Sequence, residues 1–108
     1  MVDWGDRPFS ELYYEAGNEW AEREAAATLL EDCKSAVLAQ WVSEQGDIAV
    51  NRAENTVKAS PRWSQYIEDM VQARLFANKA KVRLESIKMR AMEFQGKEAN
   101  ARVEARLT

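Results

Sequence analysis

Long stretches without helix-breaking residues constrain the fold of this chain more than any other feature. The 108 residues contain only four glycines and two prolines, Pro8 and Pro61, so 52 residues without proline lie between them. After Pro61, only Gly96 interrupts the remaining sequence. Because proline and glycine are the residues that most strongly end helices and form turns, their scarcity indicates long helices and argues against an all-β chain.

The first predicted helix begins near Pro8 and ends before Gly46. Asp6 or Ser10 can cap its free amide groups, and proline is tolerated in a first helical turn. Glycine commonly follows the last residue of a helix, and Asp47 can cap the helix that comes next. These signals predict a helix over about 8–45.

Two further helices are predicted in the rest of the chain. A short one over about 47–59 has Ile48, Ala49, Ala53 and Val57 on its buried side. Ser60 followed by Pro61 is a strong start signal for a third helix over about 61–106. We expect one all-α domain spanning residues 1–108.

Apolar residues on helix three recur at spacings of three and four, which is typical of a coiled-coil seam. This seam comprises Trp63, Tyr66, Met70, Ala73, Ala77, Ala80, Leu84, Ile87, Ala91 and Phe94. Helix one carries a matching stripe of Phe9, Tyr13, Ala16, Trp20, Ala27, Leu30, Val37 and Trp41. The pattern predicts a long antiparallel helical hairpin or coiled coil. Helix three alone would be about 65 to 70 Å long, so the protein is expected to be elongated.

A second apolar line follows the other side of helix three. It contains Val71, Leu75, Val82, Met89 and Met92, and continues through Gly96, Ala99 and Val103. One hairpin partner cannot cover both sides of a helix, so this line predicts the interface of a homo-oligomer. A site for a different partner protein is the less favoured interpretation.

Charge is distributed unevenly along the chain, although the net charge is only −3. Residues 1 to 61 hold 5 Lys and Arg against 12 Asp and Glu, whereas residues 62 to 108 hold 10 against 6. The bases of helix three form two ridges, with Arg74, Lys81, Lys88 and Arg102 on one side and Arg83, Arg90 and Lys97 on the other.

The two basic ridges have two interpretations. They can pair with the acidic residues of helix one, as flanking charges of coiled coils do. Alternatively, they can contact the phosphates of a nucleic acid while exposed aromatic side chains stack on bases. Phe76 lies beside the ridges, although packing in the oligomer is its favoured role. The candidate nucleic-acid-binding residues are Arg74, Lys81, Arg83, Lys88, Arg90 and Lys97.

The residue types needed by most small enzymes are missing. The chain contains no histidine and one cysteine, Cys33, so Cys/His zinc sites, histidine-dependent nucleophiles and an internal disulfide are excluded. The four glycines are isolated from one another, which argues against a glycine-rich phosphate loop. We therefore expect no enzymatic activity, no cofactor and no metal site.

The first residues and the hydropathy of the sequence predict where the protein is located. We expect neither a secretory leader nor a membrane-spanning segment, because the first residues lack an apolar run and no window is apolar enough to span a bilayer. A single thiol is compatible with a reducing compartment. A cytoplasmic protein is the resulting expectation.

The C-terminal half resembles a known type of phage protein. The part of the chain that runs from Tyr66–Met70 through Ala80–Arg90 to Glu93 and Phe94 is similar to the UvsY-type recombination mediators of T-even phages. The likeness consists of alternating basic and apolar helix positions. The resemblance covers about the last 45 residues and contains no catalytic motif. It implies an oligomeric accessory factor that binds single-stranded DNA and helps to load a recombinase in place of the single-strand-binding protein. Lys81, Arg83, Lys88 and Arg90 are the positions most like the basic helix of that family.

Two functions from different classes are compatible with the sequence. The first is a non-enzymatic oligomeric factor that binds single-stranded nucleic acid in phage recombination or replication, acting in the host cytoplasm, with a recombinase or single-strand-binding protein as further partner. The second is a structural or adaptor coiled coil, such as a scaffold or assembly factor, whose charges only determine helix pairing.

Overall fold

A computed structural model describes residues 7–107, which form three helices and no strand. Helix α1 spans Phe9–Ser43, α2 spans Val50–Lys58 and α3 spans Pro61–Leu107. The molecule measures 86 × 21 × 19 Å along its principal axes. The predicted all-α class, the three helices and the elongated shape are confirmed.

The ends of α1 and α2 differ from the prediction in their capping residues. Ser10 lies inside α1, whose N-cap is Pro8 without a side-chain hydrogen bond, so the prediction that Ser10 caps this helix is wrong. Asp6 lies outside the described residues. Gly46 has a positive φ of 79°, a conformation that favours glycine, and it follows the predicted end of α1. Asp47 does not cap α2, because the turn continues to the N-cap Ala49.

The start of α3 is capped as predicted. The Ser60 hydroxyl accepts a hydrogen bond from the backbone N–H of Trp63 at 3.2 Å. The same hydroxyl donates to the Val57 carbonyl at 2.6 Å, which ties the end of α2 to the start of α3. Pro61 is the first residue of α3, where its missing N–H does not interrupt the helix.

Helices α1 and α3 lie side by side, and the chain runs along them in opposite directions. Near the α2 end, the ring centroids of Trp41 and Trp63 are 6.0 Å apart. At the far end, those of Phe9 and Phe94 are 5.7 Å apart. Residues 95–107 of α3 continue past this last contact and are all exposed.

Part of the predicted seam is buried between these helices. On α3, Trp63, Ala77, Ala80 and Ile87 are buried. On α1, the buried residues are Leu12, Ala16 and Ala27. Alanine has almost no side chain to separate two backbones, so the alanines in the middle of the seam allow α1 and α3 to approach closely.

The structure leaves the predicted core residues Tyr13, Ile48 and Ala49 exposed. Tyr13 is 44% exposed, and Leu12 takes the buried position beside Ala16 and Ile87. Ile48 and Ala49 are also exposed, because they precede α2 and do not share the face that buries Ala53 and Val57. At Tyr13 the apolar pattern alone does not identify which of two neighbouring residues faces the partner helix, and at Ile48 it does not show where α2 begins.

We predict that Ala77→Leu destabilises the hairpin by about 1 to 3 kcal/mol, because added methylene groups between tightly packed helices force side chains or backbone to shift. Ala77 is fully buried. Ala101→Leu is the matched control, since Ala101 is exposed on the same helix. Urea unfolding followed by circular dichroism measures both variants, and equal stability of the two would contradict the close packing of α1 against α3.

Candidate nucleic-acid interface

The six predicted nucleic-acid-binding residues all lie on α3, but their surroundings differ. Arg74 and Arg83 are held by carboxylates of α1, and Lys81 lies near an aromatic ring. The other three lie toward the far end of α3. The predicted ridges therefore do not form one uniform basic surface.

Arg74 is bound by two glutamates of α1. Its guanidinium donates to Glu24 at 2.7 Å through Nη1 and to Glu31 at 2.9 Å through Nε. These hydrogen bonds raise the pKa of Arg74, with Glu31 the larger cause, and lower the pKa of the Glu31 carboxyl. Arg74 therefore links α3 to α1.

Arg83 and Lys81 also face α1. The Arg83 guanidinium donates to Glu19 at 2.8 Å. The Lys81 ammonium lies 5.9 Å from the centre of the Trp20 ring, near the outer limit of a cation–π contact. The pairing of Arg74 and Arg83 with α1 is the arrangement that the charge-pairing interpretation predicts.

Lys88, Arg90 and Lys97 are exposed on the far part of α3. Within residues 7–107, neither Lys88 nor Lys97 forms an ion pair or a side-chain hydrogen bond. Their ammonium groups are accessible to an anion from solution.

A surface groove of about 270 Å³ lies where α1 begins beside α3. It is lined by Phe9, Arg90, Glu93, Phe94 and Lys97. Phe94 packs at a tilt of 52° against Phe9 and remains 50% exposed. Arg90 precedes Phe94 by four residues and Lys97 follows it by three, so both lie beside it on the helix surface.

The sequence predicts Phe94 only as a seam residue and does not reveal its part in this groove. The seam ends here because α1 begins at Phe9 and cannot cover the whole Phe94 ring. The basic neighbours at the two helical spacings are visible in the sequence. Together with the start of α1, these basic neighbours identify Phe94 as an exposed ring flanked by bases.

Phe76, the aromatic residue singled out beside the ridges, has a different environment. The guanidinium carbon of Arg23 lies 5.3 Å from the centre of the Phe76 ring. One face of this half-exposed ring is therefore already in contact with a cation of α1.

The tryptophans at the other end of the hairpin stabilise the fold. Trp63 stacks on Tyr66 with centroids 5.7 Å apart, Trp41 meets both rings edge-on, and the Arg62 guanidinium lies over Trp41. The Tyr66 hydroxyl donates to the Leu30 carbonyl, and burial is the main cause that raises the pKa of Tyr66. Trp4 lies outside the described residues.

The predicted oligomer-interface residues lie together on the side of α3 that faces away from α1. Val71, Leu75, Val82, Met89 and Met92 are between 42% and 64% exposed in the single chain. We call this side of α3, from Val71 to Val103, the outer stripe. The hairpin does not cover it.

Neither a metal cluster nor a membrane span occurs within residues 7–107. No group of three or more His, Cys, Asp or Glu side chains in this range is placed to hold a metal ion. No helix in the same range is both long and apolar enough to cross a membrane.

Comparisons with protein-family models, curated proteins and solved structures found no match to this chain.

Acid is expected to weaken the link between Glu31 and Arg74. Hydrogen bonds from Arg74 hold the pKa of Glu31 below its ordinary value of 4.5, so the stability that this carboxylate contributes is present above pH 4.5 and is lost as the pH falls through the lowered pKa. We predict that the melting temperature of Glu31→Gln falls less between pH 6 and pH 3 than that of the unmodified protein.

Glu22→Gln is the matched control for this measurement, because Glu22 is exposed on α1 and forms no ion pair within residues 7–107. Thermal unfolding by circular dichroism at several pH values compares the three proteins. Identical pH dependence of Glu31→Gln and the unmodified protein would show that this ion pair does not stabilise the hairpin.

Proposed function

We propose that this chain is a non-enzymatic, homo-oligomeric accessory factor that binds single-stranded nucleic acid along the far part of α3. The observation that carries the proposal is the half-exposed Phe94 ring between Arg90 and Lys97. A stacking aromatic ring beside basic side chains is the combination by which proteins bind single strands without strong sequence preference.

Each part of the groove has a separate role in this proposal. Arg90 and Lys97 contact phosphates, and a base stacks on the exposed part of Phe94. Single strands fit this arrangement better than duplexes because an unpaired base can leave its neighbours and reach the ring. Glu93 lines the same groove and weakens the attraction for phosphate.

The proposed binding set is smaller than the six residues predicted from the sequence. Arg74 and Arg83 do not line the groove, and glutamates of α1 bind their guanidinium groups. Lys81 and Lys88 lie on the opposite ridge from the groove and would contribute general attraction to the phosphate backbone. A recombinase or a single-strand-binding protein as partner, a role in phage recombination or replication, and action in the host cytoplasm are proposals that rest on the sequence resemblance.

A scaffold or adaptor coiled coil is the second candidate function. It is favoured by one observation, the pairing of Arg74 and Arg83 with α1, since these bases serve the hairpin itself. A scaffold of this kind would also assemble through the outer stripe. The two functions differ in whether the protein binds an oligonucleotide in a salt-dependent manner.

We predict that replacing Arg90 and Lys97 together by Gln weakens binding to fluorescein-labelled oligo-dT, measured by fluorescence anisotropy. Because the variant can no longer neutralise two phosphates, the slope of log affinity against log salt should flatten by roughly 0.7 per phosphate, as expected for single strands. Glutamine is nearly as good a helix former as the residues replaced, so the helix content should not change.

The control for charge is the pair Lys34→Gln and Arg52→Gln. These residues are exposed on α1 and α2, away from the groove, and their replacement removes the same number of charges. An equal loss of binding in both double variants would show only a general charge effect. Unchanged affinity in the Arg90 and Lys97 variant would reject the groove and favour the scaffold function.

We predict that Phe94→Leu lowers the affinity for the same oligonucleotide by roughly fivefold or more, because stacking on one aromatic ring is worth about 1 to 3 kcal/mol. Leucine keeps an apolar contact with Phe9 but offers no aromatic face. Phe76→Leu is the matched control, since Arg23 already lies over that ring. If Phe76→Leu is the more damaging substitution, the single strand binds elsewhere on α3.

A further inference from the structure

The outer stripe of α3 has a regular spacing along its whole length. Its positions advance by steps of four and three residues, the period of a second coiled-coil seam. These positions are Val71, Leu75, Asn78, Val82, Glu85, Met89, Met92, Gly96, Ala99 and Val103. The stripe spans 33 residues, or about 50 Å of helix.

We propose that the outer stripe docks against the same stripe of a second copy, antiparallel, with a two-fold axis near residue 87. This inference rests on the proposed function, which includes a homo-oligomer, and adds the contact surface and the direction of the two chains. Formation of the dimer does not require nucleic acid. Side-chain size and the length of α3 support this arrangement.

Two pairs of positions along the stripe combine a larger and a small side chain under this two-fold axis. Positions equally far on either side of residue 87 meet, so Leu75 meets Ala99 of the second copy and Val82 meets Met92. Asn78 meets Gly96 in the same way. In the Leu75 and Asn78 pairs a larger side chain faces a small one, which allows the two helices to pack closely there. The remaining pairs are Val71 with Val103 and Glu85 with Met89.

The same arrangement brings together two opposite-charge pairs and two like-charge pairs along the edges of the stripe. Glu85 lies within one helical turn of Lys88 of the second copy, and Glu93 lies within one turn of Lys79. Arg74 approaches Arg102 of the second copy, but the charge of Arg74 is already balanced by Glu24 and Glu31. Lys88 approaches its own counterpart near the axis, where the two Glu85 carboxylates surround the pair.

A parallel, in-register pair of the same stripes is less favourable. Glu85 would then face Glu85 in the centre of the interface, where two like charges repel each other. Gly96 would face Gly96 and leave a gap between the helices. Self-complementarity in the antiparallel direction identifies a second copy as the occupant, because one surface supplies both members of each pair.

The length of α3 supports the same direction. Residues 95–107 extend past the end of α1 and are exposed. The antiparallel axis places them beside residues 67–79 of the second copy, a part of α3 whose outer side α1 leaves open. The two α3 helices would form the centre of the dimer, and the acidic α1 helices would lie on its two outer sides.

Cysteine cross-linking tests the proposed direction. In a Cys33→Ala background, Val82→Cys and Met92→Cys are made as separate proteins with tags of different mass and oxidised alone or as a mixture, without nucleic acid. We expect a disulfide-linked pair mainly in the mixture, because residue 82 of each copy lies far from residue 82 of the other. Efficient cross-linking of each protein alone, without gain on mixing, would overturn the antiparallel direction.

Light scattering tests the presence of the second copy. The unmodified protein should have twice the mass of one chain, and Val82→Asp with Met89→Asp should return it to one chain while helical circular dichroism is retained. Thr28→Asp with Ser35→Asp, on exposed polar positions of α1, should remain dimeric. A monomeric unmodified protein, loss of helix in the stripe variant, or dissociation of the α1 control would each overturn the proposal.

Failure of this proposal and failure of the proposed function are separable. Cross-linking in the mixture together with no oligonucleotide binding would keep the dimer and reject the nucleic-acid role. Salt-dependent binding by a protein that cross-links in neither direction would keep the groove and reject this dimer.

Discussion

Two helices that lie side by side can cover only one strip of each helix surface, and this limit governs the whole molecule. α1 covers the α3 strip that contains Ala77, Ala80 and Ile87, and leaves the opposite strip exposed. Apolar residues continue along that second strip, so contacts within the hairpin bury only one of the two apolar stripes of α3. The outer stripe is available for contacts outside the chain.

The charges of the hairpin follow from the same limit. Bases at the edge of the covered strip reach the glutamates of α1, as Arg74 and Arg83 do. Bases toward the far end of α3, such as Lys97, lie where α1 has only begun. The ridge that contains Arg83 and Lys97 thus stabilises the helix pair through Arg83 and offers Lys97 to an anion near its end. The groove around Phe94 lies where α3 passes from the part paired with α1 to the part beyond α1.

The sequence predicts most of the fold because its strongest signals are local. The cap formed by Ser60, the positive φ of Gly46 and the seam spacing each depend on a few neighbouring residues. It fails at Tyr13 and Ile48, where the choice of buried residue depends on the rotation of one helix against another and on where a turn ends. The candidate site is predictable only in part, since the partners of Arg74 and the exposure of Phe94 depend on how α1 and α3 are aligned. That alignment is a long-range property that helix periodicity does not contain.

The order of pairing along the hairpin also bears on how it forms. Trp41 and Trp63 are separated by a short segment that contains α2, whereas Phe9 and Phe94 meet across most of the chain. Contact between residues far apart in the sequence costs more chain entropy than contact between residues close in the sequence. Closure of the hairpin is therefore favoured first near α2 and proceeds toward Phe9. The end that closes last holds the cluster in which Leu12, Ala16 and Ile87 pack with Phe9 and Leu84. The Phe94 groove lies at that end, so it is complete only after the rest of the hairpin has closed.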